Sequence, residues 1–165
     1  MNYHGIESDS MLNGEGLRVC LWCSGCSHHC KSCHNPQTWD ENSGEIFDEE
    51  AEKQLFDDLS KDYISGITFT GGDPLYAGNV DTILHLCKEF RKRFGKTKTI
   101  WLYTGYYFDD IKNGVSPVDK KRQEILQYVD VLVDGPFIEA LADVNYPYAG
   151  STNQHVIYLK KSTDN

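Results

Sequence analysis

Four short runs of β-branched and aromatic residues each stop at a segment of unusual composition, and that order is what most restricts the fold. Leu17 to Trp22 runs straight into a cysteine cluster. Gly66-Ile-Thr-Phe-Thr70 stops at Gly71-Gly72, Thr99-Ile-Trp-Leu-Tyr103 at Thr104-Gly105, and Val131-Leu-Val133 at Asp134-Gly135-Pro136. These read as strands closed by tight turns. Helical spacing lies between them. A helix is predicted from about Asp48 to Leu59, with Asp48 as N-cap and Ala51, Leu55 and Leu59 on one face. A second runs from about Asn79 to Phe94 on a stripe of Val80, Ile83, Leu84, Cys87 and Phe90. A shorter one covers roughly Asp119 to Tyr128, and His155 to Leu159 is a last strand. Strand and helix in alternation, with no hairpin signal, predict βαβ units and a mostly parallel α/β sheet. About five or six strands cannot close the eight-stranded barrel, so a partial, open β/α barrel with helices on its outside is expected. In such sheets ligands lie beyond the carboxyl ends of the strands, which puts the four unusual segments on one rim. No linker or repeat interrupts the chain, so residues 1–165 read as a single domain.

Composition narrows the function classes. Sixteen Lys and Arg against 25 Asp and Glu give a net charge of −9. That argues against a nucleic-acid partner, which a basic footprint would have to serve. The acidity is concentrated: ten acids and two lysines fall between Asp40 and Asp62, and a solvated outer face is the plain reading. No run approaches the roughly 18 apolar residues of a membrane span. Met1 to Ser10 lacks the basic and apolar regions of a signal peptide. A soluble, cytoplasmic protein is expected. In such a compartment, five of six cysteines crowded between Cys20 and Cys33 point to a metal or redox site rather than a disulfide framework.

The cluster reads Cys20-Leu-Trp-Cys23-Ser-Gly-Cys26-Ser-His-His-Cys30-Lys-Ser-Cys33-His34 and allows three parsings. Cys20, Cys23, Cys26 and Cys30 have the spacing of a bacterial ferredoxin run. That run needs a second one for its partner cluster, and it uses two residues that alternate faces at the end of a strand. A four-ligand zinc site would draw on His28, His29 or His34 but needs a second ligand pair downstream. The favoured parsing takes Cys26, Cys30 and Cys33 alone. Three ligands on a [4Fe–4S] cube leave one iron open, and an open position makes a metal centre reactive.

This C-x3-C-x2-C loop after one strand, with the Gly-Gly-acidic turn after the next, resembles the radical S-adenosylmethionine superfamily. Met1-Asn-Tyr-His4, Asn13-Gly14 with Gly16 and Arg18, Ser24-Gly25-Cys26, Cys33-His-Asn35, Thr38-Trp39, Gly71-Gly72-Asp73-Pro74-Leu75, Val133-Asp134-Gly135 and Gly150-Ser-Thr-Asn-Gln154 are together similar to the family that activates the anaerobic (class III) ribonucleoside-triphosphate reductase. The likeness extends to about Tyr158. Cys20 and Cys23 lie outside that family's motif, and His34 stands where an aromatic such as Tyr is usual.

The resemblance implies a [4Fe–4S] cluster on Cys26, Cys30 and Cys33 and S-adenosylmethionine chelating the open iron. It implies the reductase's catalytic subunit as protein substrate, receiving a glycyl radical. Hard chemistry would belong to cluster and cofactor, with no catalytic side chain. Gly71 and Gly72 would let backbone approach the cofactor's methionine moiety. Ser32, Cys33 and His34 would touch the cofactor, and Asp73 would either orient it or cap its own turn. An activase of another glycyl-radical enzyme, such as formate acetyltransferase, is the nearest alternative; a ferredoxin-like electron carrier is the alternative of a different class. Cys87 reads as a core residue. His28 and His29 read as solvent-facing, and His4, His85 and His155 have no evident partners. The basic run of Lys88, Arg91, Lys92, Arg93, Lys96 and Lys98 reads as a soluble face, with docking of an acidic electron donor such as flavodoxin as the sharper reading.

Overall fold

The structure, a computed structural model, describes residues 1–159; the end of the domain read over 1–165 lies outside the described residues. Chain order is β1 (Asn2–Ser10), β2 (Arg18–Cys23), β3 (Glu45–Ile46), α1 (Glu49–Leu59), β4 (Gly66–Gly71), α2 (Val80–Phe94), β5 (Thr99–Tyr103), α3 (Phe108–Asn113), α4 (Pro117–Leu126), β6 (Val131–Asp134) and β7 (His155–Tyr158). The strands form one open sheet in the order β3-β1-β2-β4-β5-β6-β7. The βαβ expectation holds for β2, β4, β5 and β6, which are parallel. It fails at both edges, where β1, β3 and β7 pair antiparallel. The sheet is therefore mixed, with seven strands rather than the expected five or six mostly parallel ones.

β1 escapes a sequence reading for a physical reason. Asn2-Tyr-His-Gly-Ile-Glu-Ser-Asp-Ser10 has no apolar alternation, and its pairing with β2 slips twice, between Tyr3 and Gly5 and between Glu7 and Ser10. Backbone bonding to β2 holds it, with only Tyr3 and Ile6 packing against the core. β3 is only two residues long, and α3, six residues, is too short to show a period.

Alternation along the strands divides the interior. Val19, Leu21, Cys23, Ile67, Phe69, Ile100, Leu102 and Leu132 face the helices, where they meet Leu55, Phe56 and Leu59 of α1 and Ile83, Leu86, Cys87 and Phe90 of α2. Cys87 is fully buried there, as expected of a small core residue; the stripe includes Leu86, while Leu84 is only partly buried. The opposite face carries Trp101, Val131 and Val133, packed under Tyr103, Tyr148 and Val156. Asp48 caps α1 as read, accepting from the Ala51 amide at 2.9 Å. Among the described residues no helix is long and apolar enough to cross a membrane.

The basic run is the expected soluble face at Lys88, Lys92, Arg93 and Lys96, which are exposed, but not at Arg91 and Lys98. Arg91 turns inward, donating to Asp130 Oδ2 at 2.6 Å and to the carbonyls of Tyr128, Gly95 and Lys98. Lys98 donates to the Lys61 and Ile64 carbonyls. These two cations tie the amino end of the parallel strands together and are not available for docking.

Candidate functional site

Because β2, β4, β5 and β6 run the same way, their carboxyl ends open onto one rim. The loops leaving it are the cysteine loop after Cys23, the Gly72 turn, the Thr104-Gly105 turn and the long loop after Asp134, and together they enclose a cleft. Cys26, Cys30, Cys33, His34, Gly71, Gly72 and Asp73 all line it. Ser32 does not: it is exposed, with φ of 62°, and forms the turn in which the Cys33 amide donates to the Cys30 carbonyl at 3.1 Å. Its part is to bring Cys33 round beside Cys30.

The three thiols suit ligation of a cluster. The Asn35 amide donates to Cys33 Sγ at 3.4 Å, and the backbone N–H groups of His28 and His29 near Cys26, and of Phe137 near Cys30, favour the thiolate forms. Amides aimed at sulfur stabilise thiolates and tune an iron–sulfur centre. Burial pushes the Cys26 thiol up to about 11, against the pull of the two histidine amides and with Asp73 adding to the rise. Burial also raises Cys30. Among the described residues, no three Cys, His, Asp or Glu side chains converge as the ligands of a single ion must. A cluster takes one cysteine per iron and needs no such convergence.

The other two cysteines are elsewhere. Cys20 and Cys23 are both fully buried, Cys23 among the helix-facing residues and Cys20 on the opposite face beside Ser10 and Asn13. Neither lines the cleft. A ferredoxin-type set that includes both is excluded by the strand's own alternation.

Gly71 and Gly72 have a reason in the protein's own packing. Gly71 has φ of +110°, and a Cβ there would lie 2.4 Å from the Cys23 amide nitrogen. A Cβ on Gly72 would lie 2.5 Å from the Gly25 carbonyl oxygen. The Gly72 amide donates to the Cys23 carbonyl at 2.8 Å and the Asp73 amide to that of Gly25 at 2.7 Å, so the turn lies flat on the base of the cysteine loop.

Asp73 is the centre of the rim. Its side chain is 2% exposed. Oδ1 accepts from the Leu75 amide at 2.9 Å and the Thr104 hydroxyl at 2.8 Å; Oδ2 accepts from the Gly105 amide at 2.9 Å and from His28 Nε2 at 2.8 Å. A carboxylate has about four acceptor sites, and these donors fill them. Turn-capping, one of its two expected roles, is thus present, and it joins three loops besides. His28, expected to face solvent, is instead folded inward onto Asp73. The other histidines also have partners: His4 bonds to Ser43, His85 to Glu52 and His155 to Asp134. His29 is exposed and stacks on Trp39.

Sequence reasoning missed the wall after β6. Phe137 stands 5.7 Å from the His34 ring. Gln154 donates to the Gly135 carbonyl and accepts from the Gly150 and Ser151 amides, closing the neck of the loop between. The Gly150-Ser-Thr-Asn-Gln154 segment is part of the family resemblance, but nothing in its composition says that it returns to the rim.

A family model described as a 4Fe-4S single cluster domain matches residues 12–157. The chain is 40% identical over 162 residues to the anaerobic ribonucleoside-triphosphate reductase-activating protein of Haemophilus influenzae, covering 97% of this chain and 99% of that one. It is 42% identical over 156 residues to the protein of the same name from Enterobacteria phage T4, covering 94% and 93%. With that from Escherichia coli K12 it shares 38% over 162 residues, 97% of this chain and all of the other. On this likeness over nearly the full length, the chain belongs to the family of anaerobic ribonucleoside-triphosphate reductase-activating proteins and carries its 4Fe-4S domain.

Proposed function

We propose that Cys26, Cys30 and Cys33 hold one [4Fe–4S] cluster, that S-adenosylmethionine binds beside it, and that the protein activates an anaerobic ribonucleotide reductase by installing a glycyl radical. The observation that carries this is three closely spaced thiols sharing one cleft with the Gly71-Gly72 turn. When bound and reduced, the cluster would supply the one electron needed for reductive cleavage of S-adenosylmethionine to methionine and a 5′-deoxyadenosyl radical, the species that would take a hydrogen atom from a glycine Cα of the reductase. The chain's own residues orient the ligand and exclude water. Gly71 and Gly72 present bare backbone to the methionine moiety. His34, against Phe137, offers a ring to the cofactor beside Cys33. Ser32 acts through the turn it makes, and Asp73 through the loops it joins. In this reading the open sheet is the partial β/α barrel of the superfamily, and the mouth of the cleft admits the reductase's glycine loop. A one-electron donor such as flavodoxin reduces the cluster in the cytoplasm.

The test is anaerobic reconstitution with iron and sulfide, then dithionite and S-adenosylmethionine, with 5′-deoxyadenosine quantified per loaded protein. Release is expected to persist in Cys20→Ala and Cys23→Ala and to vanish in Cys26→Ala. Release that survives Cys26→Ala, or that depends on Cys20 as a ligand would, sinks the assignment.

A further inference from the structure

Between Cys26 and Cys30 the loop reaches the strand ends through two side chains: Ser27, whose hydroxyl bonds to the Tyr106 phenol at 3.3 Å, and the more buried His28. His28 is 16% exposed and donates from Nε2 to Asp73 at 2.8 Å. Its ring lies against the backbone of Gly105, where a Cβ would fall 2.4 Å from it. The Tyr106 ring meets it edge-on at 4.5 Å. Tyr106 is braced in turn by Arg122 of α4, whose guanidinium sits 4.2 Å over the ring and donates to the phenol oxygen at 3.0 Å. The imidazole is therefore held on several sides, and the carboxylate it grips starts the turn that follows Gly71-Gly72.

We infer that His28 is a positioning residue: acting through Asp73, it fixes the height and tilt of the Cys26–Cys33 loop against the Gly71-Gly72 turn. It thereby sets how a ligand lying on that turn meets the cluster. The inference rests on the proposed cluster and S-adenosylmethionine site and goes beyond it in assigning a role to a cleft-lining residue that is not one of the proposed ligands. The base of the loop is secured without His28, by the bonds Gly25 N to Thr38 O at 2.7 Å, Cys26 N to Trp39 O at 3.1 Å and Asp73 N to Gly25 O at 2.7 Å. Removing the imidazole thus leaves fold and thiols in place and frees only the register between loop and turn.

Reconstituted wild type, His28→Phe and His28→Gln are compared by iron and sulfide content and by electron paramagnetic resonance of the reduced cluster, titrated with S-adenosylmethionine. Phe keeps a flat ring without the donor; Gln keeps a donor without the ring. His28→Phe is expected to load its cluster normally, to bind S-adenosylmethionine about tenfold more weakly, as removal of a supporting partner does, and to show a diminished spectral response. His28→Gln recovers most of both. Three results overturn the inference: a His28→Phe protein that responds like wild type, one that fails to load its cluster, or equal impairment of Phe and Gln variants. A wild-type cluster that ignores S-adenosylmethionine overturns the proposed site itself, and the inference with it.

Discussion

Arg18 is a cation at 0% exposure whose five N–H groups go to two hydroxyls and three carbonyls. Nε donates to Thr68 Oγ1, Nη1 to Thr99 Oγ1 and the Glu15 carbonyl, and Nη2 to the Ile67 and Thr99 carbonyls, all between 2.8 and 3.0 Å. Its guanidinium also lies 5.6 Å from the Trp101 ring centroid. Burial pulls it down to about 10, still far enough above neutrality that the charge stays inside. Such a group stabilises only while every donor is met; taking it away strands buried acceptors. Arg18→Met is expected to cost about 3–5 kcal/mol in urea unfolding, and Arg18→Lys nearly as much, because three donors cannot replace a planar fork of five. In sequence, Arg18 is part of the family resemblance, but nothing local gives its role, since all its partners except the Glu15 carbonyl arrive from β4 and β5. The cluster triad is legible because its members lie within eight positions of one another. His28 is not, because Asp73 is 45 residues away and nothing local announces it.

At the scale of elements, α4 shows how much rests on a helix start. Ser116 and Asp119 form a capping box: the Asp119 amide donates to Ser116 Oγ at 3.1 Å, and Asp119 Oδ2 accepts from the Ser116 amide at 3.2 Å. Pro117 occupies the first turn, where its missing N–H costs nothing. The helix thus begins at Pro117, two residues before the expected start at about Asp119, and Ser-Pro-x-Asp is itself the signal that places it. Hydrogen bonds from Ser116, with a smaller contribution from Arg122, hold the Asp119 carboxyl below its ordinary range. A depressed acid adds its stabilisation in full above the unfolded-state value, near 4, and loses it as pH falls through the folded one. Ser116→Ala should therefore cost about 1 kcal/mol at pH 7, and the gap to wild type should narrow as pH drops below about 4. Parallel urea titrations from pH 7 downward check both sign and window. α1 and α2 were legible for the opposite reason: their buried stripes repeat over three turns or more. β1 offered neither a stripe nor a cap.

For the whole molecule, parallel strands place their carboxyl ends together, so the position of the cleft follows from strand order alone. What strand order does not say is how the cleft is walled after β6, where the chain makes a long excursion before β7 returns antiparallel. The excursion leaves the rim at Gly135, reaches full exposure at Val144 and comes back at Gln154. Two side chains close its neck. Asn153 donates to the Tyr107 phenol at 3.0 Å and the Pro136 carbonyl at 2.8 Å. Gln154 donates to the Gly135 carbonyl at 2.9 Å and accepts from the Gly150 amide at 2.8 Å and the Ser151 amide at 3.0 Å. Tyr148 and Ala149 pack on the Trp101 cluster, but the neck of the loop is held by these polar bonds. Gln154→Ala removes three of them, and a net loss of about 1.4 kcal/mol is a tenfold rise in the open population. Chymotrypsin cleavage at Leu141 and Tyr148 should accelerate about tenfold, while global unfolding shifts little because the sheet and helix core are untouched. If cleavage rises only in step with global unfolding, the loop is not an independent unit, and the cleft's far wall is as rigid as the sheet it hangs from.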